Sequence, residues 1–158
     1  MIKRRLENII SEKLYDGKAI LLMGPRQVGK TTLLKMLFTG RDDVLWLNGD
    51  ELDVQRLFDN VSATRLKAIF GNKKVIVIDE AQRIADIGLR VKLVTDQIPD
   101  VQLVATGSSS FDLANKMNEP LTGRKWEYKM YPLSFGEMVD EHGLLEEKRM
   151  IPHRLVYG

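Results

Sequence analysis

The chain has 158 residues, of which 44% are apolar and 29% are charged, and its formal net charge is +2. This composition is typical of a soluble globular domain, and the small net charge produces no global field that requires a polyanionic partner. The chain has no cysteine, which excludes disulfides, thiolate nucleophiles and cysteine-bound zinc.

The sequence predicts neither a membrane helix nor a signal peptide. Its longest wholly apolar run is AILLM, far short of the roughly 20 residues that a membrane helix needs. The start is basic but has no apolar segment behind it, so no secretory signal is expected. We therefore expect a cytoplasmic protein without a membrane partner. The basic cluster KRR at 3–5 is interpreted as a solvated helix face rather than a nucleic-acid arm.

Helical and strand patterns alternate along the first half of the chain. The spacing of apolar residues, with Gly17, Gly40 and Gly71 as stops and Ser62 as an N-cap, marks the boundaries. The predicted elements are a helix over 2–15, a strand over 19–23, a helix over 30–38, a strand over 44–48 and a helix ending at Phe70.

The alternation continues in the second half. The predicted elements are a strand in KKVIVIDEAQ (73–82), a helix over 84–98 stopped by Pro99, a strand over 101–107, an edge strand over 124–131 and a short helix opened by the capping box Ser134–Glu137. Such alternation predicts right-handed βαβ units, and therefore a parallel sheet with helices on both faces. Residues 115–123 are expected to form the most mobile loop.

A glycine-rich segment follows the first predicted strand. Residues 24–31, GPRQVGKT, match the phosphate-binding pattern G-x-x-x-x-G-K-[ST] at a strand-to-helix junction. Its two glycines allow the backbone to approach a phosphate, and the backbone amides and the helix N-terminus favour an anion. We expect the nucleotide to contact the whole loop, namely Gly24, Pro25, Arg26, Gln27, Val28, Gly29, Lys30, Thr31 and Thr32.

Individual roles follow from side-chain chemistry. Lys30 is expected to reach the β- and γ-phosphates as a catalytic cation, and Thr31 to bind Mg²⁺. Thr32 can donate to the α-phosphate, whereas Arg26, in the middle of the loop, is expected to face solvent or a partner. Pro25 fixes one dihedral angle of the loop. A chance glycine turn before a helix is the alternative explanation of this segment.

Two carboxylates end the apolar strand VIVID. Ligands bind at the carboxyl ends of parallel strands, so Asp79 is expected to hold Mg²⁺ and Glu80 to orient and deprotonate the attacking water. An ordinary turn after a strand is the simpler alternative. The position of the pair some 50 residues after a phosphate loop favours the metal and base roles.

Two further catalytic candidates depend on weaker signals. Ser108, in VATGSSS, is expected to contact the γ-phosphate or the water, with Thr106 and Ser109 as alternatives. Ser109 or Ser110 is equally suited to cap a helix. Arg124 follows the predicted loop and is a candidate arginine finger, acting in its own or a neighbouring subunit, with Arg83 a weaker candidate.

Together these motifs resemble a prokaryotic family of AAA-type P-loop ATPases. The resemblance is carried by GPRQVGKTT (24–32), DEAQ (79–82), TGSSS (106–110), Gly123–Arg124 and PLSFGE (132–137). It implies an additional-strand ATPase core, an α/β three-layer fold with a mainly parallel five-stranded sheet of order 5-1-4-3-2. It also implies that residues 1–158 form one core domain that a C-terminal domain of uncertain role follows in longer members. Any contact with nucleic acid would belong to that region.

The leading interpretation is Mg²⁺-dependent ATP hydrolysis that drives a switch or motor, with self-association or a protein partner possible. An ATP-binding scaffold without turnover is the main alternative. A phosphotransferase is disfavoured because Glu80 would activate water. A GTPase is disfavoured because NKKV and NKMN lack the aspartate of N-K-x-D, and a helicase because the chain has room for one lobe only.

Overall fold

A computed structural model describes residues 2–108, 116 and 120–157 of the chain. Five strands form one sheet: β1 (Ala19–Met23), β2 (Val44–Asn48), β3 (Val75–Asp79), β4 (Gln102–Gly107) and β5 (Lys125–Lys129). All pairs are parallel, and the order is β2-β3-β4-β1-β5. The sheet order expected from the sequence, 5-1-4-3-2, is confirmed, because it is the same order viewed from the other edge.

Helices flank the sheet among the described residues. They are α1 (Arg5–Ser11), α2 (Lys30–Leu37), α3 (Leu52–Leu57), α4 (Ala63–Phe70), α5 (Ile87–Gln97), α6 (Phe135–His142) and α7 (Leu144–Tyr157), with a 3-10 turn at Ala81–Arg83. Two predicted N-caps are confirmed: Ser62 accepts from the Arg65 N–H, and Ser134 and Glu137 form the capping box of α6. None of the helices in the described ranges combines the length and apolar character needed to cross a membrane.

The core lies on both faces of the sheet. In β1, Leu21 and Met23 pack into one apolar cluster, whereas Ile20 and Leu22 pack into the other. All of these side chains are fully buried. A central parallel strand must be apolar on both sides for this reason, which explains why AILLM lacks the alternation of an exposed strand. The first cluster includes residues of α4 and α5, and the second includes residues of α1 and α2.

The parallel arrangement gathers the polar segments at one edge. Met23 is paired with Gly107, and Asn48 with Asp79, so β1, β2, β3 and β4 end at the same side of the sheet. The segments that follow β1, β3 and β4 are those for which the sequence predicts phosphate, metal and catalytic contacts. Of the predicted loop at 115–123, residues 115 and 117–119 lie outside the described residues.

Candidate nucleotide-binding site

The loop between β1 and α2 has a backbone that its glycines make possible. Gly29 is the N-cap of α2 and has a φ of 94°, a left-handed conformation that favours glycine. Gly24 passes so close to the Met130 carbonyl that a β-carbon there would clash with it. The Met130 N–H donates to the Met23 carbonyl at 2.6 Å. The loop is therefore fixed at both ends by main-chain geometry.

A cavity of about 560 Å³ opens beside this loop. It is lined by six of the predicted loop residues together with two acidic residues from neighbouring strands, namely Arg26, Gln27, Gly29, Lys30, Thr31, Thr32, Asp50 and Glu80. Arg26 is exposed, as the sequence predicts. Asp50, at the turn after β2, has no counterpart among the sequence predictions, since a lone aspartate in NGDE carries no motif. Its carboxylate forms an ion pair with Arg83 at 3.1 Å.

Lys30 is a buried cation at the start of α2. Only 6% of the residue is exposed, and its Nζ donates to the carbonyls of Gly24 and Pro25 at 2.8 Å each. Burial lowers the pKa of Lys30, and the nearby carboxylates of Glu80 and Asp79 oppose this shift. An ammonium group has three donors. Lys30 can therefore hold the loop carbonyls and still donate to an anion in the cavity.

Asp79 lies where two hydroxyl groups converge on its carboxylate. The Thr31 hydroxyl donates to Oδ2 at 2.7 Å, and the Thr106 hydroxyl donates to Oδ1. The Thr106 oxygen also accepts from the Glu80 N–H at 3.2 Å. Thr106, an alternative γ-phosphate contact in the sequence analysis, thus bonds to Asp79 and Glu80. The oxygens of Thr31 and Asp79 lie side by side, a donor pair of the chemistry that Mg²⁺ prefers.

Glu80 adopts a left-handed backbone conformation, with φ 50°, which is uncommon for a residue with a β-carbon. Its neighbour Gly49 cannot carry a side chain, because a β-carbon there would clash with the Glu80 carbonyl. Gly49 also donates its N–H to the Asp79 carbonyl at 2.7 Å. The end of β2 therefore supports the reversal of the chain that turns Glu80 toward the cavity.

Gln82 joins two residues that the sequence analysis assigns separately. Its Nε2 donates to Glu80 Oε2 at 2.6 Å and to Ser108 Oγ at 3.2 Å. Its Oε1 is buried and has no hydrogen-bond partner in the described part of the chain. Gln82 belongs to the DEAQ motif, which is a signal in the sequence, but the sequence analysis assigns no role to this residue. Ser109, the other alternative to Ser108, lies outside the described residues.

The structure does not bring Arg124 to the loop of its own chain. Arg124 precedes β5, and its carbonyl accepts from the N–H of Ala19 at the start of β1. Its guanidinium bonds to Asp96 Oδ1 at 2.7 Å. Because β1 and β5 are parallel, Arg124 lies at the edge opposite the cavity. This placement argues against a finger role within one chain and leaves the role in a neighbouring subunit as a prediction.

A second cavity, of about 200 Å³, lies on the other side of the loop. Most of its lining is apolar, and it shares loop residues with the first cavity; the lining residues are Ile2, Arg4, Gln27, Val28, Gly29, Thr32, Leu33, Met36, Met130 and Leu133. The phosphate loop is therefore the wall between a polar cavity and an apolar one. Apolar residues from three separate stretches of the chain line the second cavity, and no local pattern in the sequence could identify it.

Arg4, in the second cavity, is not the solvated residue that the KRR cluster predicts. Its side chain is only 12% exposed. It donates to Val28 O at 3.1 Å, to Tyr131 O at 2.6 Å and to Glu137 Oε1 at 3.0 Å. Arg4 leaves solvent because the fold brings it next to the carboxylate of Glu137, which is 133 residues away in the chain. Neighbouring residues in the sequence give no sign of this partner.

The chain is similar in sequence to parts of longer curated proteins. An uncharacterized protein of Mycobacterium tuberculosis is 33% identical over 112 residues, which cover 70% of this chain and 24% of the relative. An uncharacterized protein of Haemophilus influenzae is 28% identical over 153 residues, which cover 90% of this chain and 35% of the relative. The chain thus spans about a quarter to a third of the length of these curated relatives.

Two solved structures share the fold. The Walker-type ATPase PABY2304 of Pyrococcus abyssi matches with a TM-score of 0.64 at 18% identity, over 89% of this chain and 56% of that one. A signal transduction ATPase with a tetratricopeptide repeat sensor from Pyrococcus horikoshii matches with a TM-score of 0.56 at 18% identity, over 98% and 26%. A model of the AAA domain family matches residues 16–139. Because this match extends from the turn before β1 into helix α6, the chain belongs to the AAA domain family and has the P-loop ATPase fold.

Proposed function

We propose that the protein binds ATP with Mg²⁺ and hydrolyses it to ADP and phosphate. The observation that carries this proposal is the convergence of Lys30, Thr31 and Glu80 on one cavity, with Asp79 hydrogen-bonded to Thr31. A buried cation, a hydroxyl–carboxylate pair and a second carboxylate are the groups that phosphoryl transfer to water requires. These groups come from two segments of the chain, and Thr31 and Asp79, which are in contact, are 48 residues apart in sequence.

The polar cavity is proposed to hold the triphosphate. The helix N-terminus at Gly29 and Lys30 presents unpaired N–H groups and a positive dipole end. The ammonium group of Lys30 adds a full charge at the same place. Thr31 and Asp79 would hold Mg²⁺, which when bound supplies positive charge to the phosphoryl oxygens.

The apolar cavity is proposed to hold the base. It adjoins the phosphate cavity across the loop, and a ligand with an apolar planar part and an anionic tail fits this pair of cavities. Val28, Met36 and Met130 offer apolar contacts to a ring, and methionine side chains adapt to aromatic partners. Guanine is not favoured, since the N-K-x-D motif is missing from the sequence.

Glu80 is proposed as the general base. In the reaction, the oxygen of a water molecule forms a bond to the γ-phosphorus, and the bond from that phosphorus to the β–γ bridging oxygen breaks. The proton of the water passes to the Glu80 carboxylate, and ADP leaves with the bridging oxygen. Gln82 holds one Glu80 oxygen and reaches Ser108. We infer that Gln82 and Ser108 orient Glu80 beside the γ-phosphate.

A scaffold that binds ATP without turnover is the second candidate. It is favoured by the same 2.6 Å hydrogen bond from Gln82 that would orient Glu80, because this bond also occupies a carboxylate oxygen that would otherwise accept the proton. In that case ATP would act only by ordering the loop for a partner, either another protein or a second copy of the chain. Phosphate release separates the two candidates, because only the enzyme forms inorganic phosphate in proportion to time.

Binding itself is tested by thermal unfolding with Mg-ATP. A ligand at about 100 times its dissociation constant stabilises the folded state by about 2.7 kcal/mol, a shift of several degrees in Tm. We expect this shift for the wild type and for Lys35→Ala, an exposed lysine on the same helix, but not for Lys30→Ala. An equal shift in Lys30→Ala would reject the assignment of the loop.

A further inference from the structure

The phosphate loop is held from outside its cavity by one partly buried arginine, Arg4. The Arg4 guanidinium contacts three segments that are distant from it in sequence: the loop at Val28, the segment after β5 at Tyr131 and helix α6 at Glu137. A planar guanidinium with five donors can satisfy several acceptors at fixed angles, which a lysine ammonium cannot. Arg4 therefore fixes the position of the loop relative to β5 and α6.

The contact with Val28 has a direct consequence for the loop. The peptide unit between Val28 and Gly29 is planar and trans, so the Val28 carbonyl and the Gly29 N–H point in opposite directions. A donor that holds the carbonyl on the side of the apolar cavity therefore keeps the Gly29 N–H directed the other way. Gly29 lines the polar cavity as well, and loop amides that converge on one point form an anion nest.

Glu137 holds Arg4 in turn. Its Oε1 accepts from Arg4 Nε at 3.0 Å and from the Arg5 N–H at 3.1 Å, and its Oε2 accepts from the N–H and the hydroxyl of Ser134. The Glu137 side chain is 8% exposed. These contacts hold the carboxylate in place, and its Oε1 thereby anchors the Nε end of the Arg4 guanidinium. The side chain of Arg4 thus connects the capping box of α6 to the phosphate loop.

We propose that Arg4 is a positioning residue for nucleotide binding, and that Glu137 controls nucleotide affinity through it. This inference rests on the proposed function. Because coupling between two sites is reciprocal, nucleotide in the loop also strengthens the contact between Arg4 and α6. A partner that moves α6 would therefore change the affinity for nucleotide without touching the cavity.

The chain contains a matched control for this proposal. Arg5 and Asp140 form a second ion pair between α1 and α6, at 2.7 Å, with side chains 62% and 59% exposed. This pair joins the same two helices, but its hydrogen bonds go to Asp140 and not to the loop. If Arg4 acts only by fastening α1 to α6, loss of either pair should affect nucleotide binding in the same direction.

The first test measures Mg-ADP binding by calorimetry, since ADP is not turned over. Arg4→Ala and Glu137→Gln are expected to raise Kd roughly tenfold, because the first removes the hydrogen bond from the guanidinium to Val28 and the second replaces the charge-assisted hydrogen bond that holds Arg4 with a weaker neutral one. Arg4→Lys should lie between Arg4→Ala and the wild type, and Arg5→Ala should stay within about twofold. The double variant Arg4→Met/Glu137→Gln leaves no unpaired buried charge. It should bind Mg-ADP no more weakly than Arg4→Ala does. Equal effects of Arg4→Ala and Arg5→Ala would overturn the proposal.

The second test needs no nucleotide. Hydrogen exchange of loop amides is followed in the ligand-free protein by mass spectrometry, with the folded double variant as the main sample. We expect faster exchange in the peptide containing residues 24–32 for Arg4→Met/Glu137→Gln, and no change there for Arg5→Ala. Unchanged exchange in the double variant would overturn the inference. If the wild type does not bind Mg-ADP, the proposed function fails, and the exchange result alone decides the role of Arg4.

Discussion

The Thr31 hydroxyl donates to the Asp79 carboxylate at 2.7 Å, although 48 residues separate them. One residue belongs to the first turn of α2 and the other to the end of β3. The parallel order of β3, β4 and β1 brings them to one point. The fold thus places a hydroxyl and a carboxylate oxygen side by side where we propose that Mg²⁺ binds.

This pair predicts how turnover depends on the metal site. Thr31→Val removes the hydroxyl with almost no change of shape, whereas Thr31→Ser keeps it. We expect Mg²⁺-dependent phosphate release to fall roughly 100-fold or more in Thr31→Val and in Asp79→Asn, because the metal supplies several kcal/mol to the transition state. Thr31→Ser should stay near the wild type. Turnover in Thr31→Val equal to that of Thr31→Ser would contradict the assignment.

Glu80 predicts a separation of binding from chemistry. Glu80→Gln should keep its affinity for Mg-ATP and lose roughly 100- to 10,000-fold in turnover, the usual contribution of a general base. Calorimetry and a phosphate-release assay measure the two properties. Retained turnover in Glu80→Gln would assign the base to another residue.

The backbone of Glu80 predicts an effect on stability. With φ 50° at this position, a β-carbon is unfavourable, and glycine avoids the penalty of about 1 kcal/mol. Both Glu80→Gly and Glu80→Ala lack the carboxylate, so their difference isolates the backbone. We expect Glu80→Gly to be the more stable of the two by about this amount in urea unfolding. The reverse order would show that the conformation is not strained.

Arg124 predicts a concentration test. Its ion pair with Asp96 is exposed, at 42% and 38% of the two side chains, so Arg124→Ala should lower stability by less than about 1 kcal/mol. In dilute solution, ATP turnover per molecule of Arg124→Ala should equal that of the wild type. A loss that develops only as protein concentration rises would place Arg124 in a neighbouring site. A loss at the lowest concentration would contradict the placement seen in the structure.

Glu137 predicts a pH-dependent contribution to stability. Burial raises its pKa, but hydrogen bonds from the backbone of Ser134 and Arg5 and from Arg4 outweigh this effect and bring the pKa to about 2, from an ordinary value of 4.5. This lowering of the pKa corresponds to a contribution of at most about 3 kcal/mol to the free energy of unfolding at neutral pH. Because the pKa is lowered on folding, this stability is present above pH 4.5 and is lost as the pH falls toward 2.

The measurement is urea unfolding at pH 7 and at pH 3. The wild type should lose more stability between these values than Glu137→Gln does, since the amide does not titrate. Asp140→Asn, in the exposed pair with Arg5, serves as the control and should behave like the wild type. The same loss in Glu137→Gln as in the wild type would show that Glu137 is not the group responsible.

The sequence predicted the elements whose signals are local. Buried strands such as β1 appear as continuous apolar runs, and the N-caps of α4 and α6 are set by side chains within three residues. Helix α1 is shorter than the predicted 2–15, since Tyr15 and Gly17 adopt positive φ and the chain turns after Ser11. Leu6, in α1, and Leu14, in the turn that follows it, still pack on the core.

Two helices were missed for different reasons. Helix α3 has six residues and lacks a side-chain N-cap, so its pattern is too short to identify. Helix α7 contains Pro152, which from sequence marks the end of a helix, and Glu147 is its one buried residue. The buried carboxylate accepts from Arg154 at 2.8 Å and contacts His142 at 2.6 Å. Neither contact is visible as an apolar stripe.

The candidate site divides in the same way. The phosphate loop and the Asp79–Glu80 pair follow from motifs, because their residues are adjacent in the chain. Arg4 and Gln82 act through partners that only the fold brings near. The position of Arg124 follows from topology, since a residue before a parallel strand lies opposite the residues that follow such strands.

Because all five strands run in the same direction, the sheet has two different rims: one where the strands begin and one where they end. Residues that leave strands share the rim where phosphate chemistry is proposed, while residues that enter strands, including Arg124, share the other. Sequence change at the entering rim therefore alters the outer surface without disturbing the groups around Lys30. A substitution at the entering rim can thus change which partner the surface fits while the proposed nucleotide site, at the opposite rim, keeps its geometry.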